Sequence, residues 1–177
     1  MRLQRERGRV LDDSELREFV RDDYPRLVNA VAMVTGSFAS AEDAVQEALA
    51  RAWIKSERGE TIASLPDWVA VVAFNLSRSR WRRVLAERRA TALLPGRAPQ
   101  MPSEDFVDVT RALAILPRRQ REVAVMRYLL EMSTREVAQA TGVGEGTVKN
   151  SLSKARAALA KQLDVVDEEV ADDAEGR

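Results

Sequence analysis

Apolar residues recur at helical spacing along most of the chain. Leu16, Phe19, Val20, Leu27, Val28, Val31 and Val34 predict a first helix with a kink or restart at Tyr24-Pro25, where the proline has no N–H to donate. Ser40-Ala41-Glu42-Asp43 resembles a capping box and predicts a second helix to about Lys55, with Val45, Leu49, Ala52 and Trp53 on its core face. Ser56 to Pro66 contains Gly59 and polar residues and reads as a loop. Pro66 suits a first helical turn, after which Trp68, Val71, Val72 and Leu76 form an apolar stripe on a helix that runs into an arginine cluster.

From 90 to 104 the prolines Pro95, Pro99 and Pro102 and Gly96 break every period and predict a flexible linker, the best domain boundary. Beyond it, Phe106, Val109, Leu113 and Leu116 predict a short helix stopped by Pro117, and Val123, Val125, Met126, Leu129 and Leu130 predict another. Ser133-Thr134-Arg135-Glu136 is a capping box opening a helix that ends near Gly142, and Gly144 to Gly146 predicts a tight turn. A last helix to about Leu163 buries Val148, Leu152, Ala155, Leu159 and Leu163. It exposes Asn150, Ser153, Lys154 and Lys161, flanked by Lys149 and Arg156. Two short helices across a glycine turn are a helix-turn-helix pattern, and such a face suits a DNA major groove.

Composition narrows the chemistry. The 177 residues are 45% hydrophobic and only 5% aromatic, and helix formers dominate over β-branched residues, so the expected class is all-α with two small domains. With no cysteine and no histidine, disulfides, thiolate nucleophiles, imidazole bases and common zinc sites are excluded. No cofactor is expected. No stretch reaches the roughly 18 consecutive apolar residues of a membrane span, which predicts a cytoplasmic protein without membrane insertion. Formal net charge is zero, yet Arg78, Arg80, Arg82, Arg83, Arg88 and Arg89 crowd together while 164–177 is acidic and expected to be a disordered tail.

Ala41-Glu42-Asp43-Ala44-Val45-Gln46-Glu47 followed by Arg51-Ala52-Trp53 resembles the polymerase-binding segment of extracytoplasmic-function sigma factors, of the sigma-70 family. Trp68 through Asn75-Leu76 and the arginines after it are similar to that family's minus-ten reading helix. Leu116-Pro117 with Arg121-Glu122-Val123 resembles the start of its C-terminal domain, and Val143-Gly144-Glu145-Gly146-Thr147-Val148-Lys149 resembles the start of its recognition helix. The order of these segments, with a linker between, makes the resemblance specific.

The resemblance implies sigma region 2 at 14–89, a linker at 90–104 and a winged-helix-like region 4 helix-turn-helix at 105–163. It implies docking of Asp43, Gln46, Glu47 and Arg51 on core RNA polymerase. It implies minus-ten contacts by Asn75, Arg78, Arg80, Trp81, Arg82 and Arg83, and capture of an extruded base by the loop from Ser56 to Pro66. Minus-thirty-five DNA falls to Arg135, Thr147, Lys149, Asn150, Ser153, Lys154 and Arg156. An anti-sigma factor is expected to cover the exposed acidic surface. Three residues depart from the family pattern: Gly144 stands for a frequent capping serine, Ser151 for a common basic residue and Phe74 for a frequent arginine.

Two other readings compete. A carboxylate metal enzyme would use Asp22, Asp23, Glu42 and Asp43, but adjacent residues diverge around a helix and no histidine or lysine partner is evident. A stand-alone helix-turn-helix regulator would bind duplex DNA tightly without polymerase and leave Asp43 to Glu47 incidental.

Overall fold

The computed structural model describes the backbone of residues 11–90 and 104–175 and the side chains of residues 11–80, 82 and 106–162. It divides into two compact units, Met1–Gln100 and Met101–Arg177, and no β-strand occurs among the described residues.

Unit 1 encloses a helix whose C-terminal half is apolar on every side. Helix α2, Tyr24–Thr35, buries Ala30, Val31, Ala32, Met33 and Val34 in succession. Five consecutive positions point all around a helix of 3.6 residues per turn, so this part of α2 must be surrounded. Helix α1, Asp13–Glu18, leads into it from a capping box on Asp12, through a π-helical turn over Phe19–Asp23. There the Tyr24 N–H donates to the Phe19 carbonyl, five residues back. The irregularity predicted at Pro25 therefore lies one turn earlier, and the proline occupies the first turn of α2, where its missing donor costs nothing.

Helix α3, Phe38–Glu57, and helix α4, Leu65–Ala90, pack against α2 and each other. Gly36, at φ 74°, closes α2 in the left-handed conformation and hands the N-cap of α3 to Ser37, whose Oγ accepts from the Ser40 N–H at 3.3 Å. The helix thus starts ahead of the box predicted at Ser40. Its buried stripe is Ala41, Ala44, Val45, Ala48, Ala52 and Ser56, whereas Leu49 and Trp53, predicted for the core, lie half-buried at its edge.

Ser64 caps α4, its Oγ accepting from the Asp67 N–H at 3.3 Å. The core stripe of α4 is Leu65, Val69, Ala70, Ala73, Phe74 and Ser77, so the predicted stripe of Trp68, Val71, Val72 and Leu76 is rotated to its half-buried flanks. The buried Ser77 hydroxyl donates to the Ala73 carbonyl at 2.8 Å. The loop predicted from Ser56 to Pro66 shortens to 58–64, because Ser56 and Glu57 belong to α3 and Leu65 and Pro66 to α4.

Unit 2 contains α5, Glu104–Ala114; α6, Arg118–Ala124, which continues as a π-helical turn Val125–Leu129; α7, Thr134–Thr141; and α8, Glu145–Glu175. Its core joins Phe106, Leu113 and Leu116 to Val123, Val125 and Met126, and these to Val137, Val148 and Leu152. Arg121 Nη2 donates to the Ala114 carbonyl at 2.8 Å and the Leu116 carbonyl at 3.2 Å, satisfying acceptors at and just past the end of α5. Burial lowers the pKa of that guanidinium from the usual arginine value. Of the predicted linker, 91–103 lies outside the described residues. The tail predicted to be disordered beyond Leu163 instead continues α8 as helix to Glu175.

The alanine stripe of α3 leaves no room for a branched side chain at Ala48, which is fully buried. Ala48→Leu is expected to destabilise unit 1 by about 1–3 kcal/mol. All three tryptophans, Trp53, Trp68 and Trp81, lie in unit 1, so urea unfolding followed by tryptophan fluorescence reports that unit alone. An unchanged midpoint would show that α3 is not closely packed there.

Candidate functional site

The outer surface of α3 follows from its inner one. With Ala41, Ala44, Val45 and Ala48 turned inward, Asp43, Gln46, Glu47 and Arg51 are exposed on the opposite side. Arg51 Nε donates to Glu47 Oε1 at 2.9 Å, an i,i+4 pair along the helix. Gln46 Nε2 donates to the Tyr24 hydroxyl at 3.3 Å, joining this face to α2. At about 100° per residue, Asp43 and Glu47 lie within a narrow strip that Ile54, exposed at 47%, extends toward the end of the helix.

On α4 the arginines do not form a single face. Asn75 is exposed and Arg78 half-buried within roughly 60° of it around the helix, and exposed Arg82 lies on the same side. Arg82 Nη2 donates to Ser79 Oγ at 3.4 Å. Arg80 instead lies seven residues after Ala73, on the side that packs on α3, and its Nη1 stands 3.7 Å from Asp43 Oδ2. The side chains of Trp81 and Arg83 lie outside the described residues. Phe74 is buried to 0% exposure, so where the family pattern often has arginine this chain has a core residue.

In unit 2 the turn between α7 and α8 depends on Gly142, whose φ of 70° and N–H to the Ala138 carbonyl, 2.9 Å, end α7 in the left-handed conformation. Ser133 and Glu136 close the capping box at the other end of α7: Glu136 Oε2 accepts from the Ser133 N–H at 2.7 Å, and Ser133 Oγ from the Glu136 N–H at 3.2 Å. Only Val143 and Gly144 then precede α8. Gly146, expected in the turn, is already helical, and the Gly144 carbonyl accepts from Thr147 and Val148. Val148, Leu152 and Ala155 hold α8 to the core. Thr147, Lys149, Asn150, Ser153, Lys154 and Arg156 are exposed, as is Arg135 at the start of α7. Ser151, where the family pattern favours a basic residue, donates its hydroxyl to the Thr147 carbonyl at 2.8 Å.

Comparison with known proteins matches both units. Residues 19–87 match the family described as Sigma-70 region 2, and residues 106–159 that described as Sigma-70, region 4. The RNA polymerase sigma-E factor of Streptomyces antibioticus is 32% identical over 164 residues, covering 90% of this chain and 89% of that protein. The chain belongs to the sigma-70 family, in its extracytoplasmic-function group. The ECF RNA polymerase sigma factor SigL of Mycobacterium tuberculosis is 30% identical to this sigma factor over 166 residues, covering 86% of this chain and 91% of SigL. The solved structure of sigma factor RpoE with anti-sigma factor NepR from Bartonella quintana overlays with a TM-score of 0.74. It covers 87% of this chain and 99% of that one at 25% identity.

The carboxylates considered for a metal site are occupied or apart. Asp22 accepts from Arg21 at 2.7 and 2.8 Å, an exposed pair that lowers the carboxyl's pKa, and Asp43 faces Arg80. Burial raises the pKa of the Asp23 carboxyl, opposed by Arg26. Among the described residues no three His, Cys, Asp or Glu side chains are grouped to hold a metal.

Restoring the family's frequent arginine at the buried position is the sharpest check on α4. Phe74→Arg removes a core ring and drives a charge into its place, and is expected to cost more than about 3 kcal/mol. A variant with wild-type urea resistance by tryptophan fluorescence would place residue 74 on the surface.

Proposed function

We propose that this sigma factor binds core RNA polymerase through the exposed strip of α3 and directs promoter-specific transcription initiation through two helical DNA-binding domains. The observation that carries the reading is the pairing of an acidic, polar docking strip on α3 with separate basic faces on α4 and α8, in units that match regions 2 and 4. Asp43, Gln46, Glu47 and Arg51 meet the polymerase. Asn75, Arg78, Arg80, Trp81, Arg82 and Arg83 work on the minus-ten element, and the loop at 58–64 captures a base as the duplex opens. Asn150, Ser153 and Lys154 reach base edges of the minus-thirty-five element while Arg135, Thr147, Lys149 and Arg156 hold its backbone.

In this reading residues 14–89 act as region 2 and 105–163 as region 4, and the linker at 90–104 threads the polymerase channel. The segment 164–177 carries no assigned contact. The Bartonella protein is crystallised with an anti-sigma factor, and we extend a partner of that kind to this chain, seated over the α3 strip. The chain works in the cytoplasm and performs no catalysis of its own. No described helix is long and apolar enough to cross a membrane.

Gel filtration with core polymerase tests the docking half. The chain is expected to co-elute stoichiometrically, and Glu47→Lys to weaken the complex at least tenfold while leaving far-UV circular dichroism unchanged. Tight binding of the isolated chain to duplex DNA, with no complex on polymerase, would instead indicate a stand-alone regulator. For the upstream half, Lys154→Ala is expected to lower initiation at promoters that need the minus-thirty-five element by a contact worth roughly 1–3 kcal/mol if it reads a base. At promoters that initiate without the minus-thirty-five element, the permanganate reactivity of the minus-ten thymines should be unchanged in this variant. Equal loss at those promoters would end the division of labour.

A further inference from the structure

The ion pair between Arg80 and Asp43 joins two surfaces that the preceding reading assigns to different partners. Asp43 lies on the docking strip of α3, Arg80 on the arginine-rich end of α4, and their side chains are 69% and 40% exposed at a separation of 3.7 Å. While the pair holds, the Asp43 carboxylate screens the charge of Arg80, which among the described arginines of that segment is the one turned toward α3. We propose that Asp43 is a positioning residue that holds Arg80 away from nucleic acid in the free protein, and that polymerase, by taking Asp43, releases Arg80 to a DNA phosphate. This rests on the docking and minus-ten assignments above.

The pair suits such an exchange because it is weak. Exposed ion pairs are typically modest and screened by salt, so a cation on polymerase can replace Arg80 without opening the core. Arg82 is placed differently: it projects from the Asn75 side of α4, away from α3, and serves as an independent reference. The exchange therefore adds one phosphate contact on assembly, and a contact to single-stranded DNA steepens the salt dependence of binding by about 0.7 in log K against log salt.

The test is a double-mutant cycle on the whole chain with short fluorescein-labelled oligothymidine, read by anisotropy over a salt series. Asp43→Asn is expected to raise affinity about twofold to fivefold at low salt and to steepen the salt dependence. Asp43→Glu, which keeps the charge, should behave as wild type. In an Arg80→Ala background Asp43→Asn should give no gain. A gain that persists there would mean that Asp43 merely repels phosphates, and no gain in either background would mean that it does not hold Arg80; either result overturns the proposal. Arg82→Ala should weaken binding whatever occupies position 43, and its failure to do so would count against the minus-ten assignment instead. In the complex with core polymerase, Arg80→Ala should cost about twofold to fivefold more than in the free chain. An equal cost in both states overturns the release step, and failure to form the complex at all counts against the docking assignment.

Discussion

Four alanines on one stripe of α3 determine how the helices of unit 1 stand to one another, and the exposed surfaces depend on that spacing. Ala41, Ala44, Ala48 and Ala52 are all fully buried, so α3 lies close against its neighbours with little side chain between. That approach encloses α2, whose run from Ala30 to Val34 has no polar side to leave in water. It also fixes the rotation of α3, and with it the strip carrying Asp43 and Glu47. In the same packing Arg80 Nη1 of α4 stands 3.7 Å from Asp43 Oδ2.

Unit 2 reaches its geometry through backbone conformation at one turn. Gly142 takes the left-handed conformation, a Cβ there would meet nothing within 4 Å, and so glycine is favoured by its torsion angle and not by crowding. The turn lets Val148 and Leu152 of α8 drop into the core made by Val137 and Met126. Once those are buried, the 3.6-residue period leaves Asn150, Ser153 and Lys154 facing outward. The polar outer face of α8 is thus the remainder of a packing solution. Ser151, at the border of that face, turns its hydroxyl back to the helix and offers little to a partner.

The chain has no net charge, yet its charges are sorted by segment. Asp43 and Glu47 lie on the α3 strip beside Arg51, arginines gather in the sequence of the second half of α4, and α8 carries lysines in its first half and carboxylates in its last turns. Most visible ion pairs are exposed, such as Arg51 with Glu47 and Arg111 with Asp108 at 3.2 Å, and contribute little to stability. Their value lies in sign and position, which govern what can approach.

The sequence by itself determined the class of fold, the order of the elements, the helix-turn-helix and the outward face of α8. Those follow from local rules: apolar period, capping boxes such as Ser133 with Glu136, and glycine or proline at helix ends. The family resemblance was likewise legible, because it rests on ordered short motifs. What only the tertiary structure decided was rotation and partnership. Leu49, Trp53, Trp68 and Leu76 have the apolarity and spacing of core residues, yet α3 and α4 bury alanines, Val69 and Phe74 instead. Periodicity gives a stripe but not its centre, which is set by how closely neighbouring backbones can come. For the same reason, a run of arginines read along the chain gave one basic cluster, while the packed helices turned Arg80 toward Asp43 and left Arg82 facing away.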